Sequence, residues 1–422
     1  MKKSIPRLIE LSILGSLKTF PVVYIAGPRQ SGKTTLVKQI SSHQHPAQYI
    51  TFDDEQMRLS VRRDPEAFLR AFDGPVVLDE IQMVPELFRP LKIIVDENRQ
   101  RKDGGRGRFL LTGSASVMAL PQLSDALVGR MVLHTLPPFS LCELQTQKTI
   151  SWIDSAFAKT WKTNIQANNL TPNKIIHSMM QGSFPEVARL RDAVLRDSWC
   201  DSYMNTLLQR DVCALIEIEK VGQVPHLLRL LATRTGGLLN EASLSRDTEL
   251  NHITLKRYRI LLENLFLLQS VPAWAHNLGK RLIKTPKIYI SDINLLTYLL
   301  NAQLESIASI NPMLFGQILE NFVAVELNKQ LSFSKVRANL YHYRTATHQE
   351  VDFLLEGPLN QIVGIEVKSR SKINSRDFLH LEALKQDLGD KFLRGFVFYQ
   401  GKEIIPFGKD LWALPVSVLW GG

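Results

Sequence analysis

The strongest constraint on the fold lies near the start of the chain, in the run VVYIAGPRQSGKTTL at residues 22–36. A short apolar stretch meets a loop bounded by Gly27 and Gly32, and Lys33, Thr34 and Thr35 then open a helical pattern. The spacing is G-x-x-x-x-G-K-[ST], that of a phosphate-binding loop between a strand and a helix. Glycine lets the backbone curl around an anion without Cβ clashes. Across Gly27, Pro28, Arg29, Gln30, Ser31 and Gly32 the N–H groups, Pro28 having none, then form an anion nest at the positive end of the following helix. Lys33 adds a mobile charge for the β- and γ-phosphates, and Thr34 a hydroxyl for Mg²⁺. A plain glycine-rich turn with a solvated lysine accounts for neither the strand before nor the helix after.

At 422 residues the chain exceeds one ordinary core, so two or three domains are expected. A net charge of +10 fits DNA or another polyanion as partner, although nucleotide phosphates alone could use part of it. Cys142, Cys200 and Cys213 are odd in number, widely spaced and in no C-x-x-C pair. They suggest neither a disulfide framework nor a zinc site, which points to a reducing compartment. Residues 5–17 read as an amphipathic helix interrupted by Glu10 rather than as a signal peptide. No run approaches the roughly 18–20 apolar residues of a membrane helix, so the expected location is the cytoplasm, with no membrane partner.

Four more short apolar runs follow the loop, at 49–52, 75–80, 108–114 and 131–136, with helical patterns between them. That alternation predicts a parallel sheet buried on both faces. The third run ends in Asp79 and Glu80, and buried charge needs a reason. Asp79 is placed to hold Mg²⁺ with Thr34, and Glu80 to act as general base for an attacking water. The fourth run ends Thr112-Gly113-Ser114. There Thr112 or Ser114 senses the γ-phosphate, or the pair simply caps the next helix. Arg130 is either an arginine finger reaching a neighbouring subunit's nucleotide in a homo-oligomer, or a structural arginine.

The strings GPRQSGKTTL (27–36), LDEIQ (78–82), LTGS (111–114) and GR (129–130) together resemble a prokaryotic group of AAA+-like ATPases. That group is similar to archaeal-type ATPases and carries a C-terminal domain of unknown function. The resemblance implies ATP as the nucleotide and a P-loop NTPase sheet. No base-reading motif such as N-K-x-D is present to argue for guanine.

Residues 146–175 read as a polar linker with short helices, and 174–218 as helices broken at 182–185, with Arg210 either touching nucleotide or lying on a solvated face. Asn240 is a candidate N-cap for a helix over 240–246, and a polar turn at 251–254 leads into a second helix rich in Lys and Arg. Two helices joined by a short polar turn form a helix-turn-helix pattern. Runs at 265–271 and 287–290, around Gly279-Lys280-Arg281, supply a wing and complete a winged helix. In a DNA reader His252, Thr254, Lys256 and Arg257 meet the groove or phosphates. The alternative is a lid or a protein contact.

Residues 315–327 form an amphipathic helix, followed by strands at 340–345, 350–356 and 362–368. Alternate residues of a strand share a face, so Glu366 and Lys368 point together, with Asp352 on the neighbouring strand and Glu320 on the helix. An acidic residue followed by a strand ending Glu-x-Lys resembles the restriction-endonuclease-like, PD-(D/E)XK core. The resemblance implies Asp352 and Glu366, with Glu320, as Mg²⁺ ligands and Lys368 as an assisting catalytic cation. A cross-strand ion pair is the competing account.

Three parts are therefore expected: an AAA+-like ATPase domain over 1–145, a helical and winged-helix domain over 146–300, and a nuclease-like α/β domain over 301–422. The expected activity is Mg²⁺-dependent ATP hydrolysis coupled to nucleic-acid binding or processing. The alternative is a nucleotide-switched module with a non-catalytic end domain.

Overall fold

A computed structural model describes residues 5–100, 104–114, 127–145, 151–161, 170–208, 221–277, 279, 281, 284–345, 347 and 349–420. Arg210, Cys213 and Lys280 lie outside the described residues. The chain divides into two units, Met1–Pro138 with Asn264–Phe266, and Phe139–Glu263 with Leu267–Gly422. The expected middle and end parts fall together in the second.

In the first unit β1 (Val22–Ala26), β2 (Gln48–Thr51), β3 (Val76–Asp79), β4 (Phe109–Gly113) and β5 (Met131–Thr135) form one sheet in the order β2-β3-β4-β1-β5. Every pairing is parallel. All five β1 residues are buried, as expected of a strand covered on both faces. β1 is flanked by β4 and β5, so the loop after Ala26 leaves the sheet from a rigid interior strand. Phe52, Phe68, Leu78, Leu91, Phe109 and Leu111 lie in the core on one face. Fully burying such a side chain is worth about 1.5–3 kcal/mol. Helices Glu55–Arg63 and Pro65–Arg70 start where Asp54 and Asp64 accept from the N–H groups of Gln56 and Ala67.

The second unit begins with helices and ends in a mixed sheet. Asn240 accepts from Ser243 N–H and caps helix Glu241–Thr248, and helix His252–Asn264 follows. β6 (Leu268–Val271) and β7 (Lys287–Ile290) then pair as an antiparallel ribbon. The ribbon is built into the fold. Asn321, on helix Pro312–Leu331, accepts from Ile290 N–H at 2.8 Å and donates to Ile290 O at 2.9 Å. That helix is buried almost all round, which explains its lack of a polar face.

The six-stranded sheet runs β12-β13-β11-β10-β9-β8. Its strands are β8 (Asn339–Arg344), β9 (Glu350–Glu356), β10 (Ile362–Lys368), β11 (Phe392–Tyr399), β12 (Ile405–Pro406) and β13 (Leu411–Pro415). β8–β9 and β9–β10 are antiparallel, whereas β10–β11 and β11–β13 are parallel. The run expected as a last strand near 414–419 ends at Pro415 and continues as a 3₁₀ turn, Val416–Trp420. The polar linker reading also changes. Short helix Trp152–Ala156 inserts Trp152 edge-on against Phe396 and Phe398, at 5.2 and 5.0 Å, and Gln330 accepts its backbone N–H at 2.8 Å. Buried aromatic area outweighs the polar surroundings of that segment.

Candidate nucleotide site and carboxylate cluster

The loop from Gly27 to Lys33 closes on itself through its backbone. Leu136 N–H donates to Ala26 O at 2.7 Å, and a Cβ at position 27 would run into the Leu136 carbonyl oxygen, so only glycine fits. Gln30 (φ 60°) and Gly32 (φ 94°) take left-handed conformations that turn the loop into helix Lys33–Gln39. Arg7, which no motif had marked, steadies it by donating from Nη1 to Ser31 O at 2.8 Å. Lys33 Nζ reaches back across the loop to Gly27 O and Pro28 O, both at 2.9 Å. Ser31 Oγ is buried without a hydrogen-bond partner among the described residues, a polar atom aimed at nothing the protein supplies. Thr35 is exposed and Arg29 half-buried.

Asp79 is 1% exposed at the end of β3, surrounded by hydroxyls. Thr34 Oγ1 donates to its Oδ2 at 2.9 Å, Tyr49 OH to the same oxygen at 2.6 Å, and Thr112 Oγ1 to Oδ1. Burial, then the bond to Asp79 and its charge, push the Tyr49 phenol well above its usual range. Lys38 Nζ sits 4.4 Å above the same ring. Glu80 takes a left-handed backbone conformation (φ 58°), and its N–H donates to Thr112 Oγ1 at 3.1 Å. Gln82 Nε2 bridges the Glu80 carboxylate and Ser114 Oγ, the latter at 3.0 Å. Thr112 and Ser114 thus serve different ends of one network. Tyr49 and Gln82 were missed because a tyrosine in a strand and a glutamine in a loop look ordinary until the fold brings them to the acids.

Arg130 lies elsewhere. Met131 is level with Val22, at the start of the parallel strands, whereas the phosphate loop leaves their far ends. Its guanidinium pairs with Asp96 through Nε and Nη2, at 2.6 and 2.7 Å. Those bonds raise the Arg130 pKa and lower that of Asp96.

In the second unit Glu320, Asp352, Glu366 and Lys368 do gather, with additions no motif contained. Lys287 of β7 enters the cluster, 3% exposed, with Nζ 3.0 Å from Glu320, 2.6 Å from Glu350 and 3.8 Å from Asp352. Tyr289 OH donates to Glu320 at 2.7 Å. Asp352 Oδ2 accepts Val367 N–H at 2.8 Å, and Lys368 Nζ pairs with Glu366 at 2.6 Å. Burial alone would depress the Lys287 ammonium, but the charges of Glu320, Asp352 and Glu350 outweigh it and hold the pKa high. Burial, then the Glu366 and Glu320 charges, push the Asp352 carboxyl well above its usual range.

The acids of the expected metal set all have protein neighbours of opposite charge. Among the described residues no group of three His, Cys, Asp or Glu is arranged to hold a metal ion. Glu320 Oε1 accepts from Lys287 and Tyr289, Asp352 Oδ2 from Val367 N–H and Glu366 Oε2 from Lys368, while Glu366 Oε1 is buried with no hydrogen-bond partner among the described residues. The wing reading changes too. Arg281 pairs with Glu356 through both nitrogens, one at 2.9 Å, and stacks 4.8 Å from Trp274 and 5.2 Å from Tyr341. Trp274 Nε1 donates to the same carboxylate at 3.1 Å. On helix His252–Asn264, His252, Lys256 and Arg257 are exposed and Thr254 is half-buried.

The geometry of the first unit agrees with comparison to known proteins. Residues 19–145 match the AAA domain. The match supports a nucleotide-binding ATPase domain at this end of the chain. Residues 173–306 and 315–419 match two domains of unknown function, DUF8612 and DUF4143. Uncharacterized proteins Mb2031c of Mycobacterium bovis and Rv2008c of Mycobacterium tuberculosis are each 28% identical over 404 residues, covering 95% of this chain and 81% of theirs. A Walker-type ATPase of Pyrococcus abyssi overlays with a TM-score of 0.40 at 14% identity, over 69% of this chain and 94% of its own. No helix among the described residues is long and apolar enough to cross a membrane.

Proposed function

We propose that the first unit binds ATP with Mg²⁺ and hydrolyses it, and that hydrolysis is coupled to nucleic-acid binding by the second unit. The observation that carries the reading is the bond from Thr34 Oγ1 to Asp79 Oδ2 beside a glycine-bounded anion nest. In this reading the N–H groups from Arg29 to Thr35 cradle the phosphates, and Lys33 exchanges its two carbonyl partners for phosphate oxygens. Thr34 and Asp79 would hold Mg²⁺, whose charge would offset that of the phosphates. The unpartnered Ser31 hydroxyl fits a phosphate contact. Glu80, oriented by Gln82, takes the proton of the attacking water, and Ser114 at the far end of that bridge reports on the γ-phosphate. Thr112 positions Asp79. Arg130 reaches a neighbouring chain's nucleotide only by giving up Asp96.

Nucleic acid as partner is supported by the net charge of +10 and by the exposed His252, Lys256 and Arg257 on one helix. A second reading, a nucleotide-switched protein-binding module, is favoured by the internal use of Arg281 against Glu356, which takes a cation from the ribbon's tip. Both readings meet one assay: ATP turnover with Mg²⁺ or Mn²⁺ across a panel of DNA and RNA. Lys33→Ala and Glu80→Gln are each expected to abolish turnover; normal hydrolysis in either means the site is misassigned. Turnover or affinity that responds to nucleic acid supports the first reading, and indifference to every member of the panel supports the second.

A further inference from the structure

We infer that the Lys287 ammonium is the resident cation of the carboxylate cluster in the second unit, standing where a divalent metal would otherwise sit. The end domain therefore works without a catalytic metal and leaves phosphodiesters intact. This goes beyond the ATP reading and does not depend on it.

The inference starts from geometry. Lys287 is nearly fully buried on β7, a strand outside the six-stranded sheet, and its side chain meets carboxylates from two other elements. Glu320 comes from helix Pro312–Leu331, and Glu350 and Asp352 from β9. An ammonium ringed by carboxylate oxygens occupies the middle of the oxygen set that a hard divalent cation needs. The remaining acid, Glu366, is claimed from another side by Lys368 at 2.6 Å, and His380 Nδ1 lies 3.7 Å from its other oxygen. Arg344 adds a further cation, 3.6 Å from Glu350. Four acids thus face three permanent cations and a histidine, all supplied by the protein's own side chains.

Two further observations fit a fixed internal cation. Asn321, one residue after Glu320, clamps Ile290 of β7 by both backbone groups, so the strand delivering Lys287 is held in register. Asp352 Oδ2 accepts Val367 N–H, a bond that ties β9 to β10 and fixes the carboxyl beside Lys287. Lys287 and Lys368 differ in kind. Lys368 is partly exposed and paired to one acid, whereas Lys287 is buried and shared among three. A buried ammonium repels a second cation far more strongly than a solvated one.

The test counts Mn²⁺ on the full chain without nucleotide, by electron paramagnetic resonance. Wild type and Glu366→Gln are expected to bind the same number of ions, and Lys287→Ala about one more, since its removal frees a carboxylate set. A Mn²⁺ lost in Glu366→Gln relative to wild type would overturn the inference, and that comparison holds even if Lys287→Ala does not fold. A folded Lys287→Ala that binds no additional Mn²⁺ would overturn it as well. A parallel assay follows wild type with DNA and RNA in Mg²⁺ or Mn²⁺. No cleavage is expected; metal-dependent cleavage that disappears in Glu366→Gln refutes the inference directly.

Discussion

Asp79 and Asp352 are both withdrawn from water beside other acids, yet their neighbours differ in kind. Asp79 is held by the hydroxyls of Thr34, Tyr49 and Thr112. Asp352 faces the Lys287 ammonium and a backbone N–H. Neutral donors orient a carboxylate without bringing a charge of their own. One of them, Thr34, also has an oxygen to offer a cation. An ammonium brings a full positive charge of its own. At ~4 Å and an effective dielectric of ~20, a unit charge pair is worth about 4 kcal/mol, so a divalent ion beside Lys287 would meet about twice that in repulsion. An acidic residue on a strand therefore says little about metal binding until its partners are known, and here those partners come from distant segments.

The largest expected effect breaks the first half of the comparison. Lys33→Ala and Glu80→Gln should each lower ATP turnover by about 100-fold or more, as loss of a group acting on developing charge commonly does. Next comes the second half. Lys287→Ala leaves Glu320, Glu350 and Asp352 without their shared cation, and breaking a buried pair from one side costs about 3–5 kcal/mol. All six tryptophans lie in the second unit, so fluorescence-detected urea unfolding reports that loss without interference from the ATPase end. An unchanged midpoint would show that the cluster carries no such strain.

A pH effect of similar size belongs to the same region. Burial pushes the His342 imidazole down to about 4, while its Nε2 lies 3.0 Å from Thr285 O. With a folded pKa below the unfolded value near 6.5, the stabilisation is complete above that value and drains away as pH falls toward 4. The total is about 3 kcal/mol. Tryptophan-detected unfolding at a series of pH values should show that slope, and His342→Asn should flatten it. The smallest effect refines the nucleotide site. Tyr49→Phe removes one of Asp79's hydroxyls, worth about 1.5 kcal/mol for a bond to a charged group. It should raise the Mg²⁺ needed for half-maximal ATP turnover about tenfold while maximal turnover changes little. A fall in maximal turnover at saturating Mg²⁺ would place Tyr49 in the chemical step instead.

The legible parts of this chain were those governed by local rules. Gly27 to Thr35 announced their loop because its conformation depends on neighbouring residues, and the apolar runs of the first sheet could be marked because its inner strands β1, β3 and β4 are buried along their whole length. Asn240 as an N-cap is similarly local. The carboxylate cluster was only half legible. Glu366 and Lys368 share a face by strand periodicity, and they do pair. Lys287, though, reads as the first letter of an ordinary strand, 33 residues before Glu320 in the chain. Trp152 was hidden for the same reason: its aromatic partners, Phe396 and Phe398, lie far along the chain.

By itself, the sequence determined the phosphate loop, the alternation of strand and helix behind it, and the identities of the acids that follow. Each depends on residues a few positions apart, where backbone geometry leaves little choice. Tertiary structure decided which charges meet. It gave Asp79 three hydroxyls and placed Arg130 on Asp96, at the strand ends away from the loop. It turned Arg281 inward to Glu356 and set Lys287 among three carboxylates. Those pairings carry the difference between a carboxylate held by neutral hydroxyls and one set beside an ammonium, because electrostatic energy depends on separation in space and on burial.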